Sequence, residues 1–179
     1  FTYQEMLEQV SKLAYVLDSL GVQKGDSVVL YMPMIPEAVF SMLACARIGA
    51  IHSVVFGGFA PHELAIRIDD AKPKIIISAN YGIEFETKIA YKPLLDKAIE
   101  EAIHKPQNTI IVEREGLDYS QTPHYDLDYS SLMKEANFKA PVAVPSTHPL
   151  YILYTSGTTG KPKGIVRDTG GYATALKFS

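Results

Sequence analysis

Short apolar runs alternate along the chain with longer segments of helical periodicity, and this alternation constrains the fold more than any other feature. The runs have the composition of buried strands and lie at residues 27–31, 51–56, 74–78, 109–112 and 150–154. Helical patterns lie between them, at residues 6–20, 36–48, 61–71 and 93–104. Strands joined through helices pair in parallel through right-handed crossovers. The sequence therefore predicts an α/β fold with a parallel β-sheet flanked by helices.

The element ends carry recognisable signals. Thr2 and Glu5 form the pattern of a capping box before the first helix, and Gly21 follows its last apolar residue. Asp128 is predicted to cap a short helix that runs to Ala136. After the last of the apolar runs, residues 165–167 are predicted to form a further strand, and the chain is predicted to be helical from residue 172.

Composition narrows the class of protein. The chain has 179 residues, 47% of them apolar and 21% charged, which is typical of a single globular domain. A formal net charge of −3 gives no indication of a nucleic-acid partner, and no apolar run approaches the ~20 residues of a membrane span. The single cysteine, Cys45, excludes an internal disulfide, fits a reducing compartment and is expected to be a buried structural thiol.

The segment after residues 150–154 has the composition of a phosphate-binding loop. It combines hydroxyl, glycine and lysine residues: Thr155, Ser156, Gly157, Thr158, Thr159, Gly160, Lys161, Lys163 and Gly164. Glycines allow the backbone N–H groups to approach an anion, hydroxyls add donors, and lysines add positive charge. The spacing is not that of a Walker A loop, because only two residues separate Gly157 from Gly160 and Lys161. The alternative is a polar linker between two strands.

Together with the preceding Tyr154, this loop resembles the phosphate-loop signature of adenylate-forming enzymes. That superfamily includes acyl-CoA synthetases, luciferases and the adenylation domains of peptide synthetases. Residues 55–61, 91–96 and 165–172 are similar to its short-chain branch, the acetyl- and propionyl-CoA synthetases.

The resemblance implies a reaction with ATP, coenzyme A and Mg²⁺. A short-chain acid, propionate or acetate, attacks ATP to form an acyl-adenylate, and coenzyme A then takes the acyl group. The loop residues would hold the β- and γ-phosphates, with Lys163 as the first charge partner and Lys161 as the second. The partners implied are these small molecules, with no nucleic acid and no membrane insertion.

The resemblance also implies that residues 1–179 form the N-terminal part of the AMP-binding, or adenylation, domain. The rest of that domain and a small C-terminal domain with the catalytic lysine would lie outside this sequence. We therefore expect no catalytic residue among the 179 and no complete reaction from them alone. Cytosol and mitochondrial matrix both remain open as compartments.

A second candidate segment concerns coenzyme A. By resemblance, Gly57 and Gly58 lie near this ligand, and Lys88 is the nearby cation. Acetyl-CoA synthetases carry arginines where this chain has Glu84 and Thr87, which shifts the likeness towards the propionyl type. A tight strand-to-helix turn would explain the two glycines equally well.

Two other functions remain open at this level. The chain fits, less well, an adenylate-forming ligase with another acid or acceptor, or a non-catalytic nucleotide-binding module. The remaining polar residues have structural interpretations: surface or capping roles for the five histidines, solvent exposure for Asp69 and Asp70, and loop or capping roles for Asp126 and Asp128.

Overall fold

The computed structural model describes residues 1–155 and 162–178. Over these residues the chain forms the following helices: α1 (Tyr3–Ser19), α2 (Pro36–Ile48), α3 (Pro61–Ala71), α4 (Tyr91–Glu101), α5 (Tyr129–Glu135) and α6 (Thr169–Phe178). The strands are β1 (Ser27–Met32), β2 (Ile51–Phe56), β3 (Ile75–Ala79), β4 (Tyr81–Glu84), β5 (Thr87–Ala90), β6 (Asn108–Val112), β7 (Asp126–Asp128), β8 (Pro149–Thr155) and β9 (Lys163–Asp168).

The main sheet has the strand order β7-β6-β3-β1-β2-β8-β9 across the described residues. Its neighbours pair in parallel from β7 to β8, which confirms the predicted parallel sheet. β9 differs, because it pairs antiparallel with β8. The segment 156–162 that joins the two strands is too short for the crossover that a parallel pair requires.

Two apolar layers cover the central strands. Side chains of α1 and α2 pack on one face, against Val28, Leu30, Ile75 and Ile77, all of them fully buried. Side chains of α3 and α4 pack on the other face, against the alternate strand residues. Strands β1 and β3 are therefore buried on both faces, as their nearly continuous apolar sequences predict.

The predicted caps are confirmed. Thr2 Oγ1 accepts a hydrogen bond from the Glu5 amide at 3.2 Å, and Glu5 Oε2 accepts one from the Thr2 amide at 2.6 Å. Gly21 follows α1 with a φ of +84°, a conformation that glycine adopts without strain. Asp128 Oδ1 accepts a hydrogen bond from the Ser131 amide at 2.7 Å and so caps α5.

The structure adds elements that the sequence did not indicate. β4 and β5 form a separate hairpin whose two turn residues, Phe85 and Glu86, have φ of +45° and +70°. Such turns usually contain asparagine or glycine, so the usual signal was missing. Strand β7 was not predicted, because Asp126 and Asp128 were assigned only loop or capping roles. Helix α4 begins at Tyr91 and ends at Glu101 rather than spanning residues 93–104. No helix in the described part of the chain is long and apolar enough to cross a membrane.

Candidate functional site

The predicted phosphate loop leaves the sheet at the carboxyl ends of its parallel strands. β8 pairs in parallel with β2, with His52 opposite Tyr151, so both strands end at the same edge. Ligands of open α/β sheets bind at this edge. Thr155 and Lys163 are cross-strand partners at the base of the loop, and both are exposed. The other predicted loop residues, Ser156, Gly157, Thr158, Thr159, Gly160 and Lys161, lie outside the described residues.

Tyr154 connects the base of this loop to helix α3. Its hydroxyl donates a hydrogen bond to Asp70 Oδ2 at 2.6 Å. Burial raises the pKa of Tyr154, and the bond to Asp70 raises it further, so the phenol keeps its proton. The predicted solvent exposure is confirmed for Asp70, which stays exposed while it accepts this bond. Asp69 is half-buried and accepts a hydrogen bond from the His104 amide at 2.8 Å.

Arg67 lies one turn before Asp70 on the same helix. Its guanidinium is 5.5 Å from the centre of the Tyr154 ring and 5.0 Å from that of Phe59. Glu63 fixes the orientation of this group by accepting hydrogen bonds from Nη1 at its carbonyl and at Oε2. Arg67, Phe59, Tyr154 and Pro162 line a cavity of about 580 Å³ beside the loop. The cavity therefore combines apolar walls with a nearly buried positive charge.

Gly164 lies opposite Tyr154 in β9. A Cβ atom at this glycine would lie 3.1 Å from both Tyr154 Cε1 and Asp70 Oδ2. The missing side chain thus makes room for the Tyr154 ring and the Asp70 carboxylate.

The turn after β2 is held by two tyrosines. The Gly58 amide donates to Tyr31 Oη at 3.1 Å, and the same hydroxyl donates to the Phe59 carbonyl at 3.0 Å. Burial raises the pKa of Tyr31 to about 12. A Cβ atom at Gly57 would overlap the Tyr91 ring, whereas one at Gly58 would meet nothing within 4 Å. Gly57 is therefore required by packing, and Gly58 by its φ of +92°.

Lys88 lies on the β4–β5 hairpin and does not line the cavity beside the loop. Its ammonium donates to the Gly116 carbonyl at 2.6 Å and lies 5.1 Å from the centre of the Tyr81 ring. The Arg114 guanidinium lies 4.5 Å from the same ring. The Tyr81 ring thus lies close to Lys88, the predicted cation, and also to Arg114, which the sequence did not single out.

Buried polar residues lie elsewhere in the fold. The surface or capping role predicted for His52 was wrong, because the residue is buried and its Nδ1 has no hydrogen-bond partner among the described residues. Burial lowers the pKa of His52 to about 4. The loop role predicted for Asp126 was also wrong: its carboxylate is buried in an ion pair with Lys92 at 2.9 Å. No cluster of three His, Cys, Asp or Glu side chains suited to a metal occurs in the described ranges.

The comparisons with known proteins agree with this arrangement. The profile of the family described as AMP-binding enzyme matches residues 1–179. The chain belongs to the AMP-binding enzyme family. The predicted relationship to adenylate-forming enzymes is thereby confirmed.

Individual relatives lie in the short-chain branch. The chain is 57% identical over 179 residues to acyl-CoA synthetase short-chain family member 3, mitochondrial, of Bos taurus, covering 99% of this chain and 26% of that protein. It is 52% identical over 181 residues to the propionate–CoA ligase of Escherichia coli strain K12, covering 100% of this chain and 29% of the ligase. The chain thus spans little more than a quarter of the length of these relatives.

The fold has a close counterpart among solved structures. Acetoacetyl-CoA synthetase from Streptomyces lividans superimposes with a TM-score of 0.87 at 29% sequence identity, over 97% of this chain and 26% of the synthetase. This likeness confirms the predicted α/β class. The family resemblance pointed to the loop, to Gly57 and to the segment that begins at Tyr91, but it gave no indication of the roles of Tyr31, Arg67 or Asp70. These residues belong to the site only through contacts between distant parts of the chain.

Proposed function

We propose that the protein containing this chain is a short-chain fatty acid–CoA ligase that uses ATP to activate propionate or acetate. The carboxylate attacks the α-phosphate of ATP, forming an acyl-adenylate and releasing pyrophosphate. The thiol of coenzyme A then attacks the acyl carbon, giving the thioester and AMP. The observation that carries the proposal is the family match over residues 1–179, with the loop signature placed between β8 and β9 at the carboxyl edge of the sheet.

The loop residues have separate roles in this proposal. Thr155, Ser156, Thr158 and Thr159 donate hydrogen bonds to the phosphates, and Gly157, Gly160 and Gly164 let the backbone approach them. Lys163 and Lys161 offset the negative charge that develops on the leaving pyrophosphate.

Mg²⁺ would share in neutralising the phosphates. Since the described residues include no cluster that would hold a metal alone, the ion would arrive with the nucleotide. This mode fits the preference of Mg²⁺ for substrate phosphates over all-protein sites.

Coenzyme A would approach from the turn after β2. Gly57 and Gly58 lie at the same edge as the loop, and Lys88 adds a positive charge on the neighbouring hairpin.

We further infer that residues 1–179 are the N-terminal part of the adenylation domain, because the relatives are several times longer. One relative is named as a mitochondrial protein, and another is bacterial. We therefore propose the mitochondrial matrix and the cytosol as the two candidate compartments.

Acid-dependent exchange of pyrophosphate into ATP tests the first half-reaction. In the complete polypeptide, Lys163→Ala should slow this exchange. The activation free energy should rise by about 2–4 kcal/mol, as expected for the loss of one preorganised charge at a leaving group. Lys97→Ala is the matched control, because Lys97 is an exposed lysine on α4.

Unchanged exchange in Lys163→Ala at saturating ATP would contradict the role of that lysine. Exchange supported by aromatic or amino acids but not by propionate or acetate would favour another adenylate-forming ligase. Binding of ATP without exchange for any acid would favour a nucleotide-binding module.

A further inference from the structure

Both strands at the base of the predicted phosphate loop meet helix α3 at one point. Tyr154, the residue before Thr155, lies opposite Gly164 across the β8–β9 pair. Its hydroxyl reaches Asp70 Oδ2 at 2.6 Å, and an added Cβ at Gly164 would lie 3.1 Å from that same oxygen. The entry and the exit of the loop are therefore packed against a single carboxylate of α3.

Arg67 reinforces this contact from the preceding turn of the helix. The residue is only 8% exposed, and its guanidinium packs on the rings of Tyr154 and Phe59. A guanidinium over the face of an aromatic ring is attracted to that ring electrostatically, and the attraction is stronger where water is excluded. Glu63 holds Nη1 from one helical turn earlier, so the guanidinium has a fixed direction.

We propose that Asp70 and Arg67 are positioning residues for ATP, which act through Tyr154 to fix the base of the phosphate loop. The inference rests on the proposed function. Neither residue belongs to the loop signature, and neither is required to touch the nucleotide. Displacement of a ligand-holding group by about 1 Å can cost a large factor in rate, so a rigid support at the base of the loop has a direct effect on ATP use.

Kinetics of the complete polypeptide with MgATP test the proposal. Tyr154→Phe removes only the hydroxyl, and Asp70→Ala removes only its acceptor. Each should raise the KM for MgATP about three- to tenfold, the effect of losing one partly exposed hydrogen bond to a charged group. The KM for propionate should stay within about twofold of the unaltered protein, because the contact supports only the phosphate loop. Arg67→Met, which keeps an unbranched apolar stem but removes the charged guanidinium, should act in the same direction.

The matched control is Tyr151→Phe. Tyr151 lies on the same strand but packs on His52 and Tyr172 rather than on α3. It should leave the KM for MgATP unchanged. Two further variants separate positioning from general stability. Asp70→Asn keeps an acceptor for the Tyr154 hydroxyl, so its KM for MgATP should be close to that of the unaltered protein. The double variant Tyr154→Phe/Asp70→Ala should raise this KM no more than either single change.

Hydrogen–deuterium exchange provides a reading that is independent of activity. The amides of residues 163–166 in β9 should exchange about three- to tenfold faster in Tyr154→Phe and Asp70→Ala than in Tyr151→Phe, corresponding to the same lost hydrogen bond. If no acid supports pyrophosphate exchange but this difference is seen, the proposed function fails and the positioning contact stands.

Equal KM values and equal amide exchange in Tyr154→Phe and Tyr151→Phe would overturn the inference. Additive effects in the double variant would also overturn it, because the two side chains would then act separately. A parallel rise in the KM values for MgATP and propionate would indicate a general structural role and would count against positioning.

Discussion

At the scale of single residues, the absence of a side chain at Gly57 has a structural reason that the sequence does not reveal. The ring of Tyr91 fills the space where the Cβ atom of another residue would lie, and it does the same at Gly82. Tyr91 itself packs on Tyr31, with ring centres 5.2 Å apart. The pair of glycines that suggested a coenzyme A contact thus also accommodates a buried aromatic cluster.

We predict that Gly57→Ala lowers the free energy of unfolding by about 1–3 kcal/mol, because the new methyl group overpacks against the Tyr91 ring. Chemical denaturation measures the loss. Tyr91→Leu in the same chain should recover part of it by removing the ring, whereas it should not help Gly58→Ala, whose Cβ would meet nothing within 4 Å. If Gly57→Ala keeps full stability and alters only the use of coenzyme A, the ligand interpretation of this glycine is correct and the packing interpretation is wrong.

At the scale of elements, a buried ion pair attaches helix α4 to strand β7. Lys92 Nζ lies 2.9 Å from Asp126 Oδ2 and 2.5 Å from Asp96 Oδ1, and the side chain of Asp126 is fully buried. Thr109 Oγ1 and the Thr122 amide also donate to Asp126. The motif Lys92 to Asp96, which the sequence offered only as a family resemblance, therefore has a structural function at the edge of the sheet.

Removing one partner of this pair should be costly. We expect Lys92→Met to lower the free energy of unfolding by about 3–5 kcal/mol, because a buried carboxylate is left without its counter-charge. Lys97→Met is the control on the exposed face of the same helix and should cost little. The double variant Lys92→Met/Asp126→Leu should be more stable than Lys92→Met alone, and the reverse order of stabilities would exclude the ion pair as the cause.

At the scale of the whole molecule, global stability should depend on the burial of His52. The residue lies between β1 and β8, and its ring stacks on Tyr151 at 5.6 Å between centres. Its pKa falls from an ordinary value of 6.5 to about 4 on folding, because burial disfavours the charged imidazolium. The unfolded chain therefore takes up a proton at a pH where the folded chain does not.

The sign of the resulting pH dependence follows from proton linkage. The contribution of His52 is fully present above about pH 6.5 and is lost as the pH falls towards 4, at a total of about 3 kcal/mol. Denaturation between pH 7 and pH 4 should show this loss, and His52→Phe should reduce it. His62→Phe is the control, since the side chain of His62 is 76% exposed. An unaltered pH dependence in His52→Phe would contradict the burial effect.

The sequence by itself determined the helix caps, the alternation of strands and helices, and the family. The capping box of α1, the cap of α5 and the alternation of apolar strands with helices were correct because they depend on neighbouring residues and on simple periodicity. The loop signature was sufficient to predict the AMP-binding enzyme family. The β4–β5 hairpin was missed because its turn residues, Phe85 and Glu86, are atypical.

Only the tertiary structure decided which distant side chains meet. The contacts of Tyr154 with Asp70, of Tyr91 with Gly57 and of Lys92 with Asp126 span long stretches of sequence. They depend on the strand order and on which helix covers which face of the sheet. A local sequence pattern cannot specify them, because burial and charge pairing become defined only when the elements pack together.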